Sequence, residues 1–205
     1  SLKPVTKALH LRTSLEGAHP SVTPLFQNSA FDATSPYFYA RKSSPNLQEV
    51  ENCVAVLENA AAAVAFPSGM AALAAVLSML MPGDQLVVSH LMYGCSYRLF
   101  ERVKQHQGVV LHVVDLTDPS NLRRFNSLRM VVFETPTNPF LRTLPIRSIS
   151  EQATSINKDA LVVVDNTWAS PLFQHPLEHG AHISVHSATK YLSGHSDVMG
   201  GFVLS

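Results

Sequence analysis

The side chains best suited to chemistry in this sequence surround Lys190. Ser187 and Thr189 precede the lysine in the order Ser-Ala-Thr-Lys, directly after an apolar run that ends at about His186. Hydroxyl side chains beside a lysine suit a phosphate ester whose aldehyde lies one lysine length away, because the amine can bond covalently to that carbon. Most lysines are instead solvated surface residues. The segment by itself leaves both interpretations open.

Asp165 is the second residue of interest, because it ends the apolar run Leu161–Asp165. An unpaired carboxylate at the end of a buried strand is costly, and a protonated pyridine nitrogen would be a natural partner. That pairing keeps the ring nitrogen positive, which lets a pyridine cofactor stabilise a carbanion. The alternative is a carboxylate that caps the next turn, which aspartate commonly does.

Two further segments follow apolar runs. Ser68-Gly69-Met70 joins a strand to a helix, and a helix N-terminus can bind a phosphate through free N–H groups. Neither common phosphate-loop signature is present, which disfavours a nucleotide-binding module. Tyr93 follows the run Gln85–Ser89 and could stack on a planar ring, although ordinary packing explains most aromatic residues.

The elements that would position these residues alternate along the chain. Seven apolar runs predict strands, namely Ala63–Phe66, Gln85–Ser89, Val109–Val114, Met130–Glu134, Leu161–Asp165, Ile183–His186 and Gly201–Leu204. Helices are predicted from Pro45 onward and over Met70–Leu80, Ser96–Gln107, Pro119–Phe125 and Ser148–Ile156. This order predicts an α/β fold, with a mostly parallel seven-stranded sheet and helices on both faces. Such sheets bind ligands at the carboxyl ends of their strands.

Residues 1–44 have a different character. They contain Pro4, Pro20, Pro24 and Pro36 and show little periodicity, so we expect an irregular N-terminal arm that lies on a neighbouring subunit. Residues 45–205 are then the cofactor-binding domain.

Composition excludes several classes of protein. The formal net charge of zero gives no attraction to nucleic acid or an anionic membrane, and no apolar stretch approaches the length of a membrane span. Two cysteines form no disulfide framework, which favours the cytoplasm. The ten histidines show no metal-binding spacing, since His175 and His179 lack the accompanying glutamate and His182 and His186 lie on a predicted strand. We therefore expect no metal.

Several motifs occur together and in order. They are Ser-Gly-Met-Ala-Ala from Ser68, Tyr-Gly-Cys-Ser-Tyr from Tyr93, Glu-Thr-Pro-Thr-Asn-Pro from Glu134, Val-Val-Asp-Asn-Thr from Val163, and Ser-Ala-Thr-Lys-Tyr-Leu-Ser-Gly-His-Ser-Asp from Ser187. The chain from about Thr23 onward resembles the Cys/Met-metabolism enzymes that depend on pyridoxal 5'-phosphate (PLP). This family of fold-type I enzymes includes cystathionine γ-synthase, the cystathionine γ- and β-lyases and methionine γ-lyase.

The resemblance implies a role for each matching residue. Lys190 would hold the cofactor as a Schiff base and move protons among the substrate carbons, and Asp165 would pair with the pyridine nitrogen. Gly69, Met70, Ser187 and Thr189 would hold the phosphate. Tyr93 would stack on the ring and relay a proton to or from the leaving group, and Asn138 would lie near the phenolic oxygen. Tyr39 and Arg41 match the family's Tyr-x-Arg, which reaches the phosphate of a neighbouring subunit, so a catalytic dimer within a tetramer is expected.

Two features depart from the family pattern. Lys42-Ser43-Ser44-Pro45-Asn46 replaces the usual stretch after Tyr-x-Arg, so the following helix could begin elsewhere. The chain also ends at Ser205, where relatives continue into a smaller domain that grips the substrate carboxylate. The expected activity is γ-elimination or γ-replacement on a small amino acid. The alternatives are β-lyase or methionine γ-lyase activity, and a protein that binds PLP without turnover.

Overall fold

The sheet is built from the runs that the sequence predicts as strands. A computed structural model describes residues 3–9 and 20–205. The strands are β1 (Ala63–Phe66), β2 (Gln85–Ser89), β3 (Val110–Val114), β4 (Met130–Glu134), β5 (Leu161–Asp165), β6 (Ile183–Ser187) and β7 (Gly201–Leu204). They form one seven-stranded sheet in the order β1-β7-β6-β5-β4-β2-β3. Only β7 runs antiparallel to its neighbours β1 and β6, so the predicted mostly parallel sheet is confirmed.

Helices connect the strands. They are α1 (Pro4–Leu9), α2 (Pro45–Glu58), α3 (Gly69–Leu77), α4 (Gly94–Gln107), α5 (Ile146–Ile156) and α6 (Ser170–Phe173), with 3-10 turns at Pro119–Arg124 and Pro176–His179. The helix α2 begins where the sequence predicts, because the Ser44 hydroxyl accepts the N–H of Leu47 and Pro45 occupies the first helical position. Among the described residues, no helix is long and apolar enough to cross a membrane.

Apolar side chains cover both faces of the sheet. On β2, Leu86 and Val88 face a core with α3 and α4, while Val87 between them faces a second core with α5. Successive strand residues point to opposite faces, so a continuous apolar run is what a strand buried on both sides requires. The prediction of helices on both faces is therefore confirmed.

Some predicted boundaries are wrong. The stretch Pro119–Phe125 forms a 3-10 turn rather than an α-helix, since it is closed by short-range bonds such as Phe125 N–H to Leu122 O. The arm is not irregular throughout, because Pro4–Leu9 is helical and packs against α2. Residues 20–44 hold one isolated bridge, between Ala30 and Tyr39, and the rest of the predicted arm lies outside the described residues.

Candidate active site

A cavity of about 720 Å³ lies at the carboxyl ends of β4, β5 and β6, beside the first turns of α3 and α4. This volume is typical of small-molecule sites. All of the predicted site residues except Tyr39 and Arg41 line it, namely Gly69, Met70, Tyr93, Asn138, Asp165, Ser187, Thr189 and Lys190. The fold thus brings together residues from five separate motifs, and their roles toward a ligand stay predictions.

The first turn of α3 offers backbone N–H groups to the cavity. The Ser68 hydroxyl accepts the N–H of Ala71 at 3.1 Å, and the Ser68 carbonyl oxygen accepts that of Ala72 at 3.0 Å. The N–H groups of Gly69 and Met70 come before those of Ala71 and Ala72 in the chain and have no acceptor within the helix. Together with the positive end of the helix dipole, they suit a phosphate group.

Gly69 packs directly against Ser187. A Cβ atom on Gly69 would lie 2.7 Å from Ser187 Cβ and 2.9 Å from Ser187 Cα, which is a steric overlap. Glycine is therefore what allows the start of α3 and the end of β6 to approach this closely. The Ser187 Oγ lies 3.2 Å from the same point, so the hydroxyl and the helix N-terminus border one small space.

The Thr189 hydroxyl also lines the cavity, but it already has backbone partners. It accepts the N–H of Gly200 at 3.2 Å and donates to the Gly200 oxygen at 3.4 Å. A hydroxyl has one hydrogen to donate. A phosphate would therefore have to replace the bond to the Gly200 oxygen in order to receive it.

Asp165 is held by a chain of hydrogen bonds that links β5 to β6. Its Oδ1 accepts the N–H of Thr167 at 3.1 Å and the Thr167 hydroxyl at 2.6 Å, and that hydroxyl accepts the Ser187 N–H at 2.8 Å. These described bonds all reach Oδ1, which leaves Oδ2 for a cation in the cavity. A pyridinium N–H fits, because it is a charged and directional donor.

Glu134 and Asp165 form a pair of carboxyl groups at adjacent strand ends. The two residues are register partners in the parallel pairing of β4 and β5, and both line the cavity. Burial raises the pKa of Asp165, while the hydrogen bonds from Thr167 oppose this shift. Burial and then repulsion from Asp165 raise the pKa of Glu134 to about 8. Near pH 7, Glu134 is therefore mostly a neutral acid.

We expect Asp165→Asn to stabilise the cofactor-free protein at pH 8. Folding raises the pKa of Asp165, so the protonated form of this residue favours the folded state. This contribution to the free energy of unfolding is complete below the unfolded pKa of about 3.9. It is lost as pH rises through the folded pKa. Asparagine keeps an oxygen for the Thr167 bonds and removes the charge. Urea unfolding at pH 8 should show a gain of about 1–3 kcal/mol. The exposed Asp159→Asn is the matched control, and a loss of stability in Asp165→Asn would contradict this account.

Tyr93 lies immediately before α4, is 43% exposed and lines the cavity. Its backbone N–H donates to Glu134 Oε2 at 3.1 Å. A hydrogen bond from its hydroxyl to Cys95 raises the pKa of Tyr93 and lowers the pKa of Cys95. Arg98 also donates to Cys95 Sγ, at 3.0 Å. The phenol therefore stays protonated near neutral pH and can donate a proton.

Lys190 lies in the turn that follows β6. Its N–H donates to the Ser187 oxygen at 3.3 Å, and its carbonyl oxygen accepts the N–H of Gly194 at 2.9 Å. These bonds hold the backbone of the turn, while the exposed side chain faces the cavity. Trp168 and Tyr191 stand beside it as an edge-to-face pair, with ring centroids 6.2 Å apart.

Several residues that line the cavity have no role among the sequence-based predictions, notably Glu134, Thr167, Trp168 and Tyr191. Glu134 ends a buried strand as Asp165 does, so the same signal could have identified it. Thr167 follows Asp165 at the spacing of a side-chain-to-backbone turn, which is a further usable signal. The two aromatic residues carry no such signal, because most aromatic residues serve packing.

Tyr39 and Arg41 do not line the cavity. Both are exposed on the arm, where the Arg41 guanidinium stacks over the Tyr39 ring at 4.9 Å from its centroid. Their predicted contact with a neighbouring subunit's phosphate stays a prediction. Their exposure leaves both side chains accessible to a partner.

A buried polar network lies under the strand ends. The Glu58 carboxylate, at the end of α2, accepts hydrogen bonds from Ser184 Oγ at 2.5 Å, Asn166 Nδ2 at 3.1 Å and His186 Nε2 at 3.1 Å. All four residues are almost completely buried. His186 thus has a structural partner, and no group of three His, Cys, Asp or Glu in residues 3–9 and 20–205 is arranged to hold a metal.

Comparison with known proteins decides the family. The sequence pattern described as "Cys/Met metabolism PLP-dependent enzyme" matches residues 5–205. The chain belongs to this family. The family depends on pyridoxal phosphate. The cavity fits this cofactor, because it offers free N–H groups for the phosphate, one oxygen of Asp165 for the ring nitrogen and an accessible lysine for the aldehyde.

Relatives within the family carry out different reactions. An L-methionine γ-lyase of Pseudomonas deceptionensis is 39% identical over 98% of this chain and 54% of its own length. A cystathionine β-lyase of Coxiella burnetii is 43% identical over 88% of this chain and 48% of its own. The crystal structure of a cystathionine γ-synthase from Xanthomonas oryzae pv. oryzae with cystathionine superposes with a TM-score of 0.92 at 37% identity, over all of this chain and 55% of that one. The chain thus spans about half the length of these relatives.

Proposed function

We propose that this chain is part of a PLP-dependent enzyme of sulfur amino-acid metabolism that catalyses γ-elimination or γ-replacement with Lys190. The observation that supports this proposal is the convergence of Lys190, Asp165 and the N-terminus of α3 on one cavity. These residues come from distant parts of the chain, so their meeting follows from the fold.

Each group of residues would perform one task. The N–H groups of Gly69 and Met70, with the hydroxyls of Ser187 and Thr189, would bind the phosphate. Asp165 would bind the ring nitrogen through Oδ2 and keep it positive, and Asn138 would bind the phenolic oxygen. When bound, the cofactor supplies an electron sink for a carbanion next to it.

Lys190 and Tyr93 would move the protons. The Lys190 amine would hold the cofactor and, when free, would move a proton from Cα of the substrate to Cβ. Tyr93 would place its ring on the cofactor and pass a proton to or from the group that leaves Cγ. Its raised pKa supports the role of a proton donor near neutral pH.

The assignment to γ-chemistry depends on a local resemblance. Ser96–Phe100 (Ser-Tyr-Arg-Leu-Phe) resembles γ-synthases, and relatives named as γ-synthases and γ-lyases share this fold. Cys95 resembles methionine γ-lyases instead, and β-lyases are also among the relatives. Activity as a β-lyase or methionine γ-lyase is therefore the second candidate, and binding of PLP without turnover is the third.

Residues 45–205 would form the PLP-binding domain, and residues 1–44 the arm that completes a neighbouring site. Arg41 suits this task, because its guanidinium can bind a phosphate with two parallel hydrogen bonds. We also propose a catalytic dimer within a homotetramer, as the family resemblance implies, and a cytoplasmic location, which the two cysteines favour.

Spectroscopy and turnover of the intact protein test the proposal. Adding PLP should produce an absorption band near the visible boundary, and O-acyl-homoserine, cystathionine or methionine should then release 2-oxobutanoate. An absorption band without turnover of any of these substrates would indicate the third candidate, a protein that binds PLP without turnover. Pyruvate from cystathionine, in place of 2-oxobutanoate, would indicate the β-lyase. If PLP gives no band, the proposal is wrong.

A further inference from the structure

Glu134 connects two parts of the cavity wall that are separated in sequence. Its Oε2 accepts the backbone N–H of Tyr93 at 3.1 Å, across 41 positions of the chain. The backbone N–H of Asn138, on the loop after β4, also interacts with this carboxyl group. Glu134 is thus a common anchor for the residue before α4 and for the loop that carries Asn138.

This anchor is buried and rigidly placed. Glu134 is 4% exposed and ends β4, where its register partner on β5 is Asp165. The next residue, Thr135, is also fixed, because its hydroxyl accepts the Leu144 N–H at 2.8 Å and its carbonyl oxygen accepts the Gln174 amide at 2.7 Å. Side chains on regular elements with supporting hydrogen bonds hold a site more precisely than loops do.

Burying a carboxyl group costs more free energy than burying an apolar side chain of similar size. The position of Glu134 in the wall of the cavity points to a role in the site. The proposed function places Tyr93 against the cofactor ring and Asn138 beside the phenolic oxygen, and the backbone N–H groups of both residues contact this carboxyl group.

We propose that Glu134 is a positioning residue that fixes Tyr93 and Asn138 around the cofactor. The proposal depends on the proposed function for the cofactor, but the two backbone contacts exist without it. Because Glu134 is mostly a neutral acid near pH 7, a glutamine amide resembles its working form. Glu134→Gln should therefore preserve the positioning, whereas Glu134→Ala should abolish it.

Amide hydrogen exchange of the intact, cofactor-free protein tests the contacts directly. In Glu134→Ala, exchange at the amides of Tyr93 and Asn138 should rise about tenfold, because both lose their acceptor. In Glu134→Gln, exchange at both amides should stay within about twofold of wild type. Glu151→Ala and Glu151→Gln, at an exposed position on α5, are the matched controls. If Glu134→Ala does not fold, Glu134→Met replaces it, because it fills similar space without a strong acceptor.

The cofactor provides the second measurement. The PLP dissociation constant of Glu134→Ala should rise about tenfold, and the circular dichroism of the cofactor band should weaken because the ring is held less asymmetrically. In Glu134→Gln, the PLP dissociation constant and the circular dichroism of the cofactor band should both return to wild-type values. A variant that was only destabilised would not show this recovery. Unchanged exchange in Glu134→Ala, or failure of glutamine to rescue, would overturn the inference. If wild-type protein binds no PLP, the proposed function fails, and the exchange measurement still decides the inference.

Discussion

Replacing Lys190 by alanine should lower kcat of the intact enzyme at least about 1,000-fold, because a nucleophile and a proton carrier disappear together. The absorption band of bound PLP near the visible boundary should also be lost. The fold should tolerate the change, since the side chain is exposed and the hydrogen bonds to Ser187 and Gly194 come from the backbone. The unfolding free energy should therefore change by less than about 0.5 kcal/mol. Absorption spectra, 2-oxobutanoate release and urea unfolding check these three expectations.

A second substitution separates the charge of Lys190 from its nucleophilic amine. Lys190→Arg keeps a cation at this place, but a guanidinium stays protonated and is a poor nucleophile. It should lose the absorption band as alanine does. Lys158→Ala, in an exposed loop, controls for the loss of any surface lysine and should behave as wild type. An unchanged absorption band in both Lys190 variants would show that another residue holds the cofactor.

The inner strands β2, β4, β5 and β6 were predictable because they are buried on both faces. Such strands require consecutive apolar residues, so the first polar residue after an apolar run indicates the end of the strand. Met130–Glu134 and Leu161–Asp165 both end in this way. The helix ends were less predictable, since they depend on caps and short-range bonds. Helix α3 ends at Leu77, with Ser78 as its C-cap, three residues before the predicted end at Leu80. Met79 and Leu80 are still apolar, so the apolar pattern did not indicate this end.

The cavity was partly predictable for a related reason. A polar residue at the end of an apolar run is unusual, and this feature identified Asp165. Glu134 ends an apolar run in the same way, but its contact with the N–H of Tyr93 joins residues 41 positions apart and could not be predicted. Contacts between distant segments carry no local pattern, so they become visible only when the strand order is known. The Tyr39 and Arg41 contact stays a prediction for the same reason, since it would cross to another subunit.

Replacing Glu58 by alanine should destabilise the protein by at least about 3 kcal/mol, because each buried donor left without its acceptor costs about 1–3 kcal/mol. The carboxylate serves three buried donors, on Asn166, Ser184 and His186. Alanine would remove the acceptor that these three donors share. Urea unfolding of the cofactor-free protein measures the loss. Glu151→Ala, at an exposed helical position, should change stability by less than about 0.5 kcal/mol.

A double-mutant cycle shows whether the network acts as a unit. If Glu58 and His186 depend on each other, then Glu58→Ala together with His186→Ala should cost less than the sum of the two single changes by at least about 1 kcal/mol. Additive losses would contradict the pairing seen at 3.1 Å. The effect should extend to the cofactor, because Asn166 follows Asp165 directly and also binds the oxygen of Gln174 at 2.8 Å. A loosened Asn166 would displace the carboxylate that receives the ring nitrogen, so Glu58→Ala should also weaken PLP binding.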